Sequence, residues 1–271
     1  MGCATGRRGR VASAGPRASG DACRARGGDG IFPAPIPPIR DTMPEPLVLS
    51  WSGGKDSALA LDALRSSGEH DPIVLLTSVT AEYDRIAIHG VRRALLRAQA
   101  DSLGLPLHEF ELRPACSNAE YEAAFAAALE AVRGRFGARR IAFGDLFLED
   151  VRRYREERVT PLGLEPVFPL WGLDTAVLAQ TFVDRGFEAR LVCVDTTQLA
   201  ASFAGRAYDA ALLADLPASV DPCGERGEFH TFVSCGPGFR ERVPYDVGEV
   251  VLRDGRFAYC DLLPRTAVAA D

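Results

Sequence analysis

The sequence predicts an α/β protein with a mostly parallel sheet and a smaller C-terminal α/β domain. From about residue 46 onward, short apolar runs typical of buried strands alternate with segments whose apolar residues recur at helical spacing. A glycine-rich turn joins the first strand to the first helix. Repeated βα units imply parallel strands joined by right-handed crossovers, so we expect ligands to bind at the carboxyl ends of the strands.

Local signals define most elements of the first part of the chain. Gly104 and Pro106 are expected to end one helix, and Ser117 with Glu120 forms a capping box that opens a long amphipathic helix. The predicted strands are residues 47–51, 71–77, 107–112 and 141–143, and the predicted helices are residues 57–64, 90–103, 117–137 and 149–161.

The second part of the chain is predicted to contain fewer helices. Asp254 and Gly255 are a strong hairpin signal between two apolar runs. The predicted elements are a helix over 174–185, a strand over 190–194 and hairpin-like pieces over 229–233 and 250–259. We predict two domains, residues 45–168 and 169–265, after a leader of residues 1–44.

The leader differs in composition from the rest of the chain. It is rich in Gly, Ala, Arg and Pro and lacks apolar periodicity, so it cannot bury enough surface to offset its ordering entropy. We predict that it is disordered, or that translation starts at Met43, one of two methionines in the chain. A basic, acid-poor leader also fits a transit peptide, and this alternative stays open.

Bulk composition excludes several classes of protein. A formal net charge of −6 and a pI near 5.4 disfavour a broad nucleic-acid surface, which is usually basic. No apolar stretch approaches the roughly 20 residues of a membrane helix. The seven cysteines are an odd number without a C-x-x-C pair, which disfavours a disulfide framework or a closed zinc site. We therefore predict a reduced, cytoplasmic protein.

The chain has 31 Lys and Arg residues, and Lys55 is its only lysine. A surface position accepts arginine, whereas a compact ammonium that reaches phosphate oxygens between close-packed backbone cannot be replaced by a broad guanidinium. Lys55 lies in a turn between a strand and a helix, where backbone N–H groups and the positive helix end face an anion. The turn reads Ser52-Gly53-Gly54-Lys55-Asp56-Ser57. An ordinary βα turn with an incidental lysine is the alternative interpretation.

The residue types of this turn suit phosphate binding. Gly53 and Gly54 permit close backbone approach, and Asp56 can cap the helix or bind a metal ion. The common P-loop would require glycine at Leu49 and Ser or Thr at Asp56, so transfer of a terminal phosphate is disfavoured.

Two further clusters contain titratable side chains. Residues 223–231 combine Glu225 and Glu228 with glycines, a histidine and a threonine, and could bind Mg²⁺, supply a general base or form only a polar loop. Gly144 and Asp145 end a predicted strand, and the helix that follows either directs some of Arg153, Arg155 and Glu157 to the site or is a solvated face with ion pairs. Three residues are assigned structural or incidental roles from the sequence alone: His89, Cys116 and Cys223.

The turn resembles the PP-loop of the N-type ATP pyrophosphatases, and the motifs together resemble the diphthine–ammonia ligase family. The motifs are the turn, the His89 region, Gly144-Asp145 with its Arg/Glu helix, Pro169-Leu170-Trp171, Cys223 to Thr231 and Gly236-Pro237 with Phe239. The resemblance implies a Rossmann-like (HUP-type) PP-loop domain over 45–168 and a substrate domain over 169–265. It also implies that ATP is cleaved between its α- and β-phosphates, that a carboxylate is adenylated, and that ammonia displaces AMP.

The resemblance also assigns roles to individual residues. Lys55, Glu225 and Glu228 are expected to be catalytic, and Asp56 is expected to bind Mg²⁺. The expected ATP-binding residues are Ser52, Gly53, Gly54, Lys55, Asp56, Ser57, His89, Gly144 and Asp145. The expected substrate-binding residues are Arg153, Arg155, Glu157, Gly227, His230 and Thr231. The chain departs from the family pattern at Arg226, where a glycine is usual, and at His230, where an acidic residue is usual, so its acceptor is open to change.

The expected partners are ATP, ammonia and a carboxylic acid. This acid is diphthine on an elongation factor or, in a bacterium, a small metabolite. A homodimer is an option, and neither a membrane nor a nucleic acid is expected. Two alternatives stay open: a nucleotide-sensing module without ligase chemistry, and a tRNA-thiolation enzyme, which would need a basic groove and sulfur-carrying cysteines.

Overall fold

The computed structural model describes residues 44–86 and 89–265. The predictions for the leader up to Met43 lie outside these residues. The described chain contains two sheets, of which the first is mostly parallel and the second is antiparallel. Within these ranges no helix is long and apolar enough to span a bilayer.

The first sheet is mostly parallel, as predicted. It contains β1 (Glu45–Ser50), β2 (His70–Thr80), β3 (Arg85–Ile86), β4 (Leu107–Leu112), β5 (Arg140–Ala142) and β6 (Glu165–Val167). β1 pairs in parallel with β2 and β5, β4 joins β2, and β6 joins β5. Only β3, a short strand antiparallel to β2, breaks the pattern among the described strands of this sheet. Since β1 is central, both of its faces are buried, which explains its continuous apolar run.

Four helices connect these strands: α1 (Lys55–Ser67), α2 (Arg93–Leu103), α3 (Asn118–Phe136) and α4 (Glu149–Val159). The predicted capping box forms at the start of α3, where the Ser117 hydroxyl and the Glu120 carboxylate each accept a backbone N–H of the other residue. The predicted start of α2 at Gly90 is wrong. Gly90 has a φ of +70° and the Val91 carbonyl accepts the Ile86 N–H, so this stretch forms a turn before the helix.

The second sheet is antiparallel and smaller. It contains β7 (Glu188–Asp195), β8 (Phe229–Cys235), β9 (Tyr245–Arg253) and β10 (Phe257–Pro264) in the order β8-β7-β10-β9, with α5 (Thr175–Asp184) and α6 (Ala210–Asp215) beside it. β9 and β10 form the predicted hairpin around Asp254 and Gly255. The hairpin-like piece at 229–233 is wrong, because β8 is one strand that pairs with the distant β7.

One apolar core joins the two sheets. Leu49 and Leu59 of the first part of the chain belong to the same buried cluster as Leu178, Phe232 and Val233 of the second part. β8 therefore packs against the turn between β1 and α1. This packing brings the residues that follow Cys223 to the carboxyl end of β1.

Candidate active site

The turn after β1 is held in an unusual backbone conformation. Gly53 has a φ of +75°, which L-residues rarely adopt, and a Cβ on Gly54 would lie 3.1 Å from the Thr231 carbonyl oxygen. Gly54 caps α1 without a side-chain hydrogen bond. The positive end of α1 is therefore directed at the space above the turn, as an anion site requires.

Lys55 is 2% exposed, and its Nζ atom lies 2.7 and 2.8 Å from the two carboxylate oxygens of Asp56. The Phe229 ring packs below the ammonium, with its centroid 5.6 Å from Nζ. Burial by itself lowers the pKa of Lys55, but the adjacent Asp56 carboxylate, together with Cys223 and Glu225, outweighs it and the net pKa is raised. Lys55 is therefore a buried cation at neutral pH.

Two carboxylates from other elements approach the turn. Glu225 accepts the Leu146 N–H at 2.8 Å, and Asp145 pairs with the Arg155 guanidinium at 3.4 Å. Burial raises the pKa of Glu225 to about 7; the Leu146 N–H opposes this, and the carboxylates of Asp56 and Asp145 add to it. Glu225 can therefore exchange a proton near neutral pH.

Two histidines close one wall of the site. His89 stacks on His230 with ring centroids 4.4 Å apart. Burial and the nearby Lys55 ammonium lower the pKa of both, that of His230 to about 4, so both rings are neutral at pH 7. The Nδ1 atom of His89 is buried and has no hydrogen-bond partner among the described residues. His89 therefore lines the cavity; an isolated histidine in the sequence favours a structural role, whereas the family resemblance implies ATP binding.

The structure brings most of the predicted residues to one cavity of about 250 Å³. The predicted residues that line it are Ser52, Gly54, Lys55, Asp56, Ser57, His89, Gly144, Asp145, Arg155, Glu225, Gly227, His230 and Thr231. Gly144 approaches the turn so closely that a Cβ would lie 2.9 Å from the Asp56 carbonyl carbon. Gly53 lies behind the lining, with its α-carbon facing Gln99.

Arg153 and Glu157 do not reach the cavity. Arg155 faces it from α4 and stacks on Phe143, with the guanidinium 4.9 Å from the ring centroid. Successive residues of an α-helix are rotated by about 100° about the helix axis. The side chains two residues before and after Arg155 therefore point to nearly the opposite side of α4. Both side chains are exposed there.

Glu228 also lies outside the cavity lining. Its side chain is 1% exposed, and its Oε1 atom accepts the Asp221 N–H at 2.9 Å. Gly227, with a φ of +83°, reverses the chain between the two carboxylates. Glu225 consequently faces the cavity, whereas Glu228 holds the preceding loop.

Cys223 is buried, and its Sγ donates to the Thr175 carbonyl oxygen at 3.3 Å. Burial raises the pKa of this thiol to about 12. The assignment of Cys223 as a packing thiol from the sequence agrees with this environment.

Sequence reasoning missed Gln99, which contacts the turn from α2. Gln99 is completely buried and donates to the carbonyl oxygens of Gly53 and Val233. A signal was present: Gln99 interrupts the apolar stripe that Leu95, Leu96 and Leu103 form on α2. A polar residue on such a stripe indicates a buried hydrogen-bonding role.

The acidic residues suit a hard cation. Among residues 44–86 and 89–265, no three His, Cys, Asp or Glu side chains are placed to hold a metal ion by themselves. Mg²⁺, however, usually takes one or two carboxylates and completes its shell with water and phosphate oxygens. Asp56 and Asp145 supply two such carboxylates at the cavity, beside Glu225.

Fold and site together define a class of protein. A parallel α/β sheet whose first strand ends in the Ser-Gly-Gly-Lys-Asp-Ser turn, followed by a smaller antiparallel-sheet domain, is a PP-loop architecture with an additional domain. The family models of the diphthamide synthase N-terminal domain and the diphthamide synthase C-terminal domain match residues 46–166 and 174–260. The chain belongs to the diphthamide synthase family, which confirms the predicted resemblance to diphthine–ammonia ligases. A comparison with curated proteins found no match.

Proposed function

We propose that the protein is an ATP-dependent ligase that adenylates a carboxylic acid and transfers the acyl group to ammonia. One observation carries this proposal: the buried Lys55 of the phosphate-type turn and Glu225 of the second part of the chain line the same cavity. A site that only bound nucleotide would need the first group, whereas acyl transfer to an amine also needs a proton acceptor. Family membership supports the same chemistry.

In the first half reaction, an oxygen of the acceptor carboxylate attacks the α-phosphorus of ATP. The bond from this phosphorus to the bridging oxygen breaks, and pyrophosphate leaves. Lys55, Arg155 and the start of α1 provide positive charge for the departing diphosphate. These groups are already fixed by packing, so little reorganisation is required when the charge develops.

The cavity needs a further cation to bind a triphosphate well. Among the described residues, the cavity is lined by two cationic side chains, Lys55 and Arg155, and by three carboxylates, Asp56, Asp145 and Glu225. We propose that Asp56 and Asp145 hold Mg²⁺ and that Glu225 stays free of the metal, available to accept a proton. When bound, Mg²⁺ would neutralise phosphate charge, and it would leave the Lys55 ammonium less tightly held by Asp56.

In the second half reaction, the nitrogen of ammonia attacks the carbonyl carbon, the carbon–nitrogen bond forms and AMP leaves. Ammonium must first lose a proton, and Glu225 is the group suited to accept it because its pKa is about 7. Because the His89 and His230 rings are neutral, they add no positive charge that would repel the ammonium. Glu228 makes no direct contribution in this scheme.

On the basis of family membership, we propose that the acceptor acid is diphthine on an elongation factor, or a small carboxylic acid in an organism without diphthine. Thr231, Gly227 and His230 line the part of the cavity supplied by the second sheet and its loop, and we place the acceptor there. The tRNA-thiolation alternative is disfavoured by the net charge of −6 and by the buried Cys223 thiol. A cytoplasmic location stays a prediction.

Incubation with ATP, Mg²⁺, ammonium and a panel of acids tests the proposal, with diphthine-bearing elongation factor as one member. AMP and pyrophosphate formed in equal amounts with an amide product would support the ligase. ATP that binds but stays intact with every acid would favour the sensing module. ADP formation would contradict both, because it places cleavage at a different phosphate.

A further inference from the structure

Gln99 makes three hydrogen bonds at the base of the phosphate-binding turn. Its Oε1 atom accepts the Trp51 indole N–H at 3.0 Å, and its Nε2 atom donates to the Gly53 carbonyl at 2.9 Å and to the Val233 carbonyl at 2.6 Å. The residue is 0% exposed, so water cannot replace any of these partners.

The chemistry of the three partners fixes the orientation of the amide. An indole N–H can only donate and the two carbonyls can only accept, so the oxygen of Gln99 must face Trp51 and its nitrogen must face Gly53 and Val233. Both amide hydrogens are thereby used. No other neutral side chain of this length presents two donors and one acceptor in this arrangement.

Gln99 also explains a glycine of the turn. A Cβ on Gly53 would lie 2.7 Å from Oε1 of Gln99 and 3.0 Å from Leu96, in addition to the strain of its positive φ. The Gly53 carbonyl, besides accepting from Gln99, accepts the Val233 N–H at 2.9 Å. The turn and β8 are therefore joined both directly and through the Gln99 amide.

β8 carries the acceptor side of the proposed site. His230 and Thr231 precede Val233 on this strand and line the cavity, and the Thr231 hydroxyl accepts the Lys55 N–H at 3.0 Å. A change in the position of β8 relative to the turn would therefore change the distance between the nucleotide and the acceptor. We infer that Gln99 is a positioning residue that fixes the phosphate-binding turn relative to β8, so that both half reactions use one geometry; this rests on the proposed function.

Ser102 offers a matched control in the same helix. It lies one turn further along α2, is 4% exposed, and its hydroxyl bridges the Glu241 carbonyl and N–H at 2.5 and 3.2 Å. Ser102 thus also joins α2 to the second part of the chain, but neither of these two hydrogen bonds involves the turn or β8. Ser102→Ala measures the general effect of loosening α2.

The test compares Gln99→Met with Ser102→Ala in the full chain. Binding of α,β-methylene-ATP, which resists cleavage between the α- and β-phosphates, is measured by calorimetry, and thermal unfolding is recorded in parallel. We expect Gln99→Met to weaken binding about tenfold and Ser102→Ala to change it less than about twofold at similar loss of thermal stability. If Gln99→Met does not fold, Gln99→Glu gives the same comparison, because its buried, protonated carboxyl keeps the shape and the indole acceptor but offers one donor in place of two.

A second readout separates positioning from stability. With an acid that the wild type amidates, Gln99→Met should release more AMP per amide formed, because a displaced acceptor side lets water intercept the adenylate. Unchanged nucleotide affinity and an unchanged AMP-to-amide ratio in a folded Gln99 variant would overturn the inference. A wild type that binds the analogue but amidates no acid would instead count against the proposed function, and the binding comparison would still decide the role of Gln99.

Discussion

Replacing Lys55 by methionine would remove the buried ammonium of the cavity and keep an unbranched side chain of similar length. Lys55 is 2% exposed, so water screens the interaction of its ammonium with a phosphate oxygen very little. Loss of one preorganised donor to a developing negative charge typically costs about 10²–10³ in turnover, which corresponds to about 2.7–4 kcal/mol. We expect pyrophosphate release by Lys55→Met to fall by this factor.

Lys55→Arg tests whether shape matters as well as charge. Nζ lies 2.7 Å from the Asp56 carboxylate and 5.6 Å from the Phe229 ring centroid, and the longer, planar guanidinium would place its charge at a different point. Displacement of the positive charge by about 1 Å can cost on the order of 10²-fold, so we expect Lys55→Arg to stay impaired by about 10–10²-fold.

The assay is pyrophosphate release at saturating ATP and acid, with thermal unfolding as a control for folding. Asp56 loses its partner in Lys55→Met, but its side chain is 30% exposed and water can solvate it, so the variant should fold. Near-wild-type turnover in a folded Lys55→Met, or full activity of Lys55→Arg, would refute the assigned role of this ammonium.

Three further predictions concern other residues of the cavity. Arg155→Met should lower pyrophosphate release about tenfold or more, whereas Arg153→Met, on the opposite side of α4, should change it less than about twofold; equal effects would contradict the placement of Arg155. Gly144→Ala would place a Cβ 2.9 Å from the Asp56 backbone, so denaturant unfolding should show a loss of about 1–3 kcal/mol together with weaker nucleotide binding. Since the pKa of Glu225 is raised to about 7, its basic form grows as pH increases, and the rate at saturating ammonium should rise through about pH 7; Glu225→Gln should abolish this rise and lower the rate about 10²-fold, and a retained rise would assign the proton acceptor elsewhere.

Features that depend on neighbouring residues could be predicted from the sequence. The capping box at Ser117 and Glu120, the hairpin at Asp254 and Gly255 and the turn that contains Lys55 all rely on short-range hydrogen bonds or on glycine conformations. Such features have the same geometry in most proteins in which they occur. The parallel sheet followed from the repetition of βα units.

Features that depend on distant contacts could not be predicted in this way. The pairing of β8 with β7 joins strands separated by residues 196–228, which include α6, and no local pattern specifies it. The direction of Glu228 is set by the Asp221 N–H and by the reversal at Gly227. The rotation of α4 about its axis decides that Arg155 faces the cavity, and mixed charges around this helix conceal which side is buried.

The presence of a single lysine has a practical consequence for experiments. Besides its N-terminal amine, the chain offers amine-directed reagents one target, and that target lies in the cavity. Any acyl or carbamoyl mass on a side-chain amine is therefore on Lys55, and one digest separates it from label on the N-terminal amine. The extent of labelling of the Lys55 peptide, measured by mass spectrometry at alkaline pH while ligands are titrated, would report on how completely the pocket is filled.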